Sequence, residues 1–217
     1  MPKNLPNILY TTSNDSKVIP IVDSLQSMYQ IPLYKDADYF SNVESYVNFI
    51  KACERVVRTS DRYKKYIYYL KRIVGLDHCQ VLPDITPDDD GKIEIEMHHG
   101  PIFTLYDYCE IILEWMLMNN RKISTFRVAD IVLDEHQRNH IQVVMLLASV
   151  HEEVHQRNIF INYKQAFGDL NAFVKKYGPA ISDPLKEKLN KYIDRSMMYD
   201  SNDFGVLKLS ETFYKLT

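Results

Sequence analysis

Two segments, each carrying two histidines, most constrain how this 217-residue chain can fold. In KIEIEMHH, residues 92–99, Ile93, Ile95 and Met97 alternate with Lys92, Glu94 and Glu96, the period of a half-buried strand. By that alternation His99 shares a side with the apolar residues and His98 with the charged ones. Neighbours on a strand face opposite ways, so His98 and His99 cannot both bind one ion without distortion. The second segment, IQVVMLLASVHEEVHQRN at 141–158, has a β-branched start that suits a short strand and an end that suits a helix. There His151 and His155 stand at i and i+4, project from one helix face and can reach the same ion. A metal centre is the first expectation.

The rest of the chain reads as mainly helical. Four prolines before residue 33 leave the first stretch irregular, with one short helix near 21–29. Ser41 and Glu44 stand in capping-box spacing ahead of a helix to about Arg58. Ser60 suits the cap of a second helix, which Gly75 ends. CQVLPDI, the polar run TPDDDG with Asp88 to Asp90, and KIEIEMHH read as a hairpin. Thr104 and Asp107 suit the start of a helix through about Met118, and another is expected over 125–137. NIFINY, 158–163, alternates like a further strand, and 169–177 and 183–192 look like terminal helices. The expected class is α+β. The expected regions are a helical 1–76, a central 77–165 carrying a helical insertion at about 103–138, and a helical 166–217.

Composition narrows the function classes. A hydrophobic content of 46% supports an ordinary core, and three widely spaced cysteines without a CxxC pair indicate neither a disulfide framework nor a zinc knuckle. The start of the chain lacks the apolar core of a signal peptide, and no window approaches the roughly 20 apolar residues of a membrane span. No membrane partner is expected, and the expected location is cytoplasmic. The net charge of −3 argues against a protein that coats nucleic acid. Between 51 and 72, however, eight basic residues face two acidic ones, and tyrosines are interleaved with them. Arg55, Arg58, Arg62, Lys64, Lys65 and Arg72 are therefore candidates for phosphate contact, while the same pattern equally fits a solvated helix face.

A hairpin ending in a double histidine, then a strand and a helix bearing HxxxH, resembles the ββα-metal core of HNH endonucleases of the His-Me finger class. EMHHGPIFTLYD and VHEEVHQRNIFINY also look like proteins of that class encoded by tailed bacteriophages, which would place the chain in the host cytoplasm. The resemblance implies a metal-dependent nuclease acting on DNA, with one divalent ion (Mg, Mn, Zn or Ni) held by His98, His151 and His155. It also implies that His99 activates water as general base. Family members orient that base with a strand asparagine. Here Gln142 holds the place, with Asn139 and His140 close by.

Two other classes fit the same residues. HEEVH is a literal H-E-x-x-H, which in zinc proteases binds the metal through its histidines and activates water through the glutamate, here Glu152. A third ligand for that site would come from Asp169, Asp183 or Glu187. A non-catalytic nucleic-acid-binding or adaptor module with a structural metal is the other reading.

Overall fold

The computed structural model describes residues 33–82 and 93–198. The expected helix near 21–29 and the TPDDDG turn lie outside these residues.

After a four-residue helix α1 (Ala37–Phe40), the long helix α2 (Val43–Thr59) begins at Asn42, whose side chain accepts from the Ser45 amide. The cap thus lies one residue beyond the expected Ser41. Ser60 closes α2 and also caps α3 (Asp61–Tyr69), where its Oγ accepts from the Tyr63 amide at 3.1 Å. A π-helical turn, Leu70–Val74, follows and stops at Gly75, whose φ of +83° only glycine adopts without strain. The Thr104 and Asp107 capping box is formed and opens α4 (Leu105–Met118). Helix α5 (Thr125–Gln137) is capped by Ser124. These helices pack on one another, with α2 against α4 and α5, and α3 against α5.

Strand β1 (Ile95–His99) does not pair with the CQVLPDI segment, whose described part, Cys79–Leu82, is not a strand. It pairs antiparallel with β2 (Val143–Leu147), placing His98 opposite Val144 and His99 opposite Val143. The reason lies at the other edge of β2. There Gln80 caps the strand, with its amide donating to Met145 O at 2.8 Å and its Oε1 accepting from Met145 N at 2.7 Å. Phe167 exchanges two backbone hydrogen bonds with Val143 on that edge. A side chain and a bridge thus satisfy the edge where a strand was expected.

Leu147 leads directly into α6 (Ala148–His155), which packs across both strands. The NIFINY segment is not a strand but an extended run ending in a 3₁₀ turn, Tyr163–Gln165, that Asn162 caps. Helices α7 (Leu170–Tyr177) and α8 (Asp183–Met197) complete the described chain. The result is a mainly helical protein with a two-stranded antiparallel sheet.

One apolar cluster runs from Phe49 on α2 to Ile193 on α8 and draws on all three expected regions. Each fully buried side chain of the size of Tyr108 or Phe173 stabilises the fold by roughly 1.5–3 kcal/mol. Cys53, Cys79 and Cys109 are free and buried, so no disulfide contributes. No helix among the described residues is long and apolar enough to cross a membrane.

A three-histidine candidate metal centre

The register of β1 against β2 determines the site. Burial along β1 alternates, with Ile95, Met97 and His99 turned to the core and Glu96 and His98 to the other face. Because α6 follows β2 without a loop and crosses that second face, its histidines arrive above His98. The His98, His151 and His155 ring centroids lie 4.9, 5.1 and 4.6 Å apart, and one nitrogen from each falls within 4.8 Å of the others. His151 Nε2 and His155 Nε2 are 3.0 Å apart. Two nitrogens on one tetrahedral ion, each at about 2.0–2.1 Å, stand roughly 3.3 Å apart, so the pair is within a few tenths of ligand spacing.

Burial, and then the neighbouring His151 and His155, lower the pKa of His98 to about 4. Its ring is therefore neutral at physiological pH, the form that can ligate a metal. Gly100 makes room for that ring. A Cβ at residue 100 would lie 2.9 Å from His98 Nε2.

His99 occupies a different environment. Its ring stacks on Tyr63 at 5.8 Å, and its Nε2 is 2.9 Å from Nε2 of His136, a buried residue on α5. The protons follow from the partners. His136 Nδ1 faces the Val132 carbonyl, which can only accept, so it carries a hydrogen. Burial lowers the pKa of His136 to about 4, leaving its Nε2 bare to accept from His99 Nε2–H. Burial and His136 also hold His99 well below the usual histidine pKa. His99 borders the cavity described below with only 5% of its surface exposed, and such a ring is a poor proton acceptor at neutral pH.

Neither expected orienting amide forms a hydrogen bond to His99, and Asn139 Oδ1 and Gln142 Oε1 are buried without a partner. Gln142 is buried, with its Nε2 donating to Tyr163 O at 3.5 Å, and Asn139 takes the left-handed position (φ +57°) that ends α5. His140 donates from Nδ1 to Glu135 Oε2 at 2.6 Å. The ring of His99 is held by His136 instead.

Beside the three histidines opens a cavity of about 620 Å³. Arg58, Arg157, Lys188 and Arg195 line it, with Glu54 as the one carboxylate in the wall. Of the six expected phosphate contacts, Arg58 alone lines this cavity. Arg62 binds Asp130, Asp134 and Gln137 of α5 at 2.6, 2.5 and 2.8 Å, while Arg55, Lys64, Lys65 and Arg72 lie on exposed surface.

The other three cations were not anticipated, although Lys188, Tyr192 and Arg195 have the i, i+4, i+7 spacing of one helix face. Arg157 sits in the left-handed region (φ +64°), a conformation costly for a residue with a side chain and one that recurs at functional sites. Lys188 also binds Asp107 at 2.7 Å, and Arg195 lies 4.1 Å over the Phe160 ring, which stacks on Tyr192.

The model of the bacteriophage G278-like virion protein family matches residues 2–212. The chain belongs to this family. The bacteriophage association expected from the sequence therefore stands, while the family is described by its place in the particle and not by a nuclease activity. No curated protein and no solved structure matches.

Proposed function

We propose that this virion protein is a metal-dependent phosphodiesterase acting on nucleic acid, DNA in the first instance, with His98, His151 and His155 as its ligands. The observation that carries the reading is the charge of the cavity. Three imidazole ligands add no charge to a divalent ion, and Arg58, Arg157, Lys188 and Arg195 line the cavity with Glu54 as its one carboxylate, so the wall stays net cationic although Glu54 pairs with Arg58, Asp107 with Lys188 and Glu96 lies behind His151. Such a pocket favours an anion, and a phosphodiester supplies one. An all-imidazole set suits zinc or nickel better than magnesium.

When bound, a divalent ion lowers the pKa of a coordinated water toward about 7 and polarises a phosphoryl oxygen. Around it, Arg58, Arg157 and Arg195 hold phosphate oxygens and offset the charge that develops on them. Phe160 and Tyr192 form the apolar wall against which a sugar or base packs. The reading keeps the single ion implied by the likeness to HNH enzymes and gives up His99 as its base. It also sets aside peptide hydrolysis, because Glu152 is exposed and is not part of the cavity wall.

The test is stoichiometric zinc, nickel and manganese binding by the full chain, followed by cleavage of plasmid, single-stranded DNA and RNA. One ion per chain and metal-dependent cleavage, both lost in His151→Ala, are expected. Binding without cleavage of any substrate would overturn the phosphodiesterase. It would leave a second reading that membership in a virion protein family favours, a structural metal in a particle component.

A further inference from the structure

Glu96 lies two residues before His98 on β1 and so on the same face, toward α6. Its Oε2 is 2.5 Å from His151 Nδ1. We infer that Glu96 is the positioning residue of the three-histidine centre, fixing His151 as the Nδ1–H tautomer so that its Nε2 lone pair faces the ion. The inference rests on the metal reading above and names a residue that the sequence did not single out.

An ionised carboxylate can only accept, so the proton between Glu96 and His151 sits on Nδ1, and in the neutral ring Nε2 is then bare. That bare Nε2 is the atom 3.0 Å from His155 Nε2, on the side shared with His98. Without Glu96 the ring divides its proton between both nitrogens and turns about its side-chain bonds.

Fold stability does not explain the contact. The Glu96 side chain is 40% exposed, and an ion pair that accessible contributes little. Among the described residues two other histidine–carboxylate contacts occur, and neither orients a ring toward other histidines. His140 joins the buried Glu135 network, and His78 lies 3.5 Å from its sequence neighbour Asp77.

The experiment measures zinc affinity of the full chain by competition with a chromophoric chelator for wild type, Glu96→Ala, Glu96→Gln and Glu94→Ala. Long-range 1H–15N correlation spectra of the metal-free proteins report the tautomer of His151. Glu96→Ala is expected to weaken zinc binding by roughly 10- to 100-fold. Glu96→Gln, whose amide oxygen still accepts from Nδ1–H, restores most of that loss and keeps the tautomer. Glu94→Ala removes a charge two residues earlier, just before the strand, and leaves affinity unchanged. All four proteins should unfold within about 3 °C of one another without metal, since so exposed a pair contributes little to stability.

Zinc bound equally well by Glu96→Ala and wild type would overturn the inference, as would Glu96→Gln binding as weakly as Glu96→Ala. A wild-type chain that takes up no ion would remove the centre and the proposed function together. The two failures are thereby distinguished.

Discussion

Replacing His99 by alanine separates a core residue from a catalytic base. The ring is buried between Tyr63 and His136 and donates to His136 Nε2. Truncation removes about five ring atoms from a close-packed interior, which for a residue of this size costs about 3 kcal/mol once the cavity is included. It also leaves His136 Nε2 without its donor, adding about 1–2 kcal/mol. A total near 4 kcal/mol lowers the melting temperature of a chain this long by roughly 8–16 °C. Differential scanning calorimetry of the metal-free protein measures it. The double variant His99→Leu with His136→Leu replaces both polar partners by apolar groups of similar size and should recover more than half of the loss, because no buried group is then unpaired. Zinc affinity of that double variant should stay close to wild type, since the three ligands are untouched. The reasoning fails if His99→Ala melts within about 2 °C of wild type yet loses metal-dependent cleavage, for the ring would then be serving as the base.

The same pair makes stability pH-dependent. The folded chain holds His136 neutral down to about pH 4, whereas an unfolded histidine takes up its proton near 6.5. Stability is therefore complete above pH 6.5 and lost as pH falls toward 4, with His136 alone removing about 2 kcal/mol at pH 5. Urea midpoints at pH 7.5 and 5.0 test this, and equal midpoints would refute it. Glu135, whose side chain is 1% exposed, accepts from Lys176, His140 and Tyr177 at 2.6, 2.6 and 2.9 Å. Burial pushes its pKa up, but those donors outweigh burial and hold it low. Glu135→Ala should cost about 3–5 kcal/mol in guanidinium unfolding, and a loss under about 1 kcal/mol would contradict the network's role. Gly100→Ala drives a methyl group against His98 Nε2 at a φ of +153°, so zinc affinity in the competition assay should fall roughly tenfold or more. Unchanged affinity would refute this and show that the His98 ring shifts aside without loss of the ion.

Much of this fold was legible because its signals are local. Helices α3, α4 and α5 start at capping side chains close to or at the expected residues, and the π-helical turn that continues α3 stops at Gly75, which accepts positive φ. The alternation in KIEIEMHH gave His98 and His99 their correct opposite faces. The partner of β1 was missed because strand pairing is non-local. Cys79–Leu82 has strand-like residues, but its Gln80 side chain caps β2 and so takes the place of a paired strand. The pairing of His151 and His155 on one face was readable from the helix period, whereas His98 as third candidate ligand and His99 as base came from family likeness, which did not include His136. No spacing in the sequence links residue 99 to residue 136, which are joined only when α5 packs beneath β1. The cationic wall failed to appear for the same reason, as it draws on α2, the end of α6 and α8.

The double histidine performs two jobs because a strand has two faces. His99 anchors the end of β1 into the core through His136 and Tyr63, and the pleat then fixes the direction in which His98 leaves the other side. Glu96, one pleat period earlier, reaches His151, so in the proposed metal centre a single strand both donates a ligand and orients a second. Helix α6 needs no loop to meet them, because β2 runs antiparallel to β1 and feeds it directly across that face. Substitutions that loosen the core side of β1 should therefore reach the histidine centre through the backbone of residues 96–100. A centre placed on a loop would not be coupled to the core in this way.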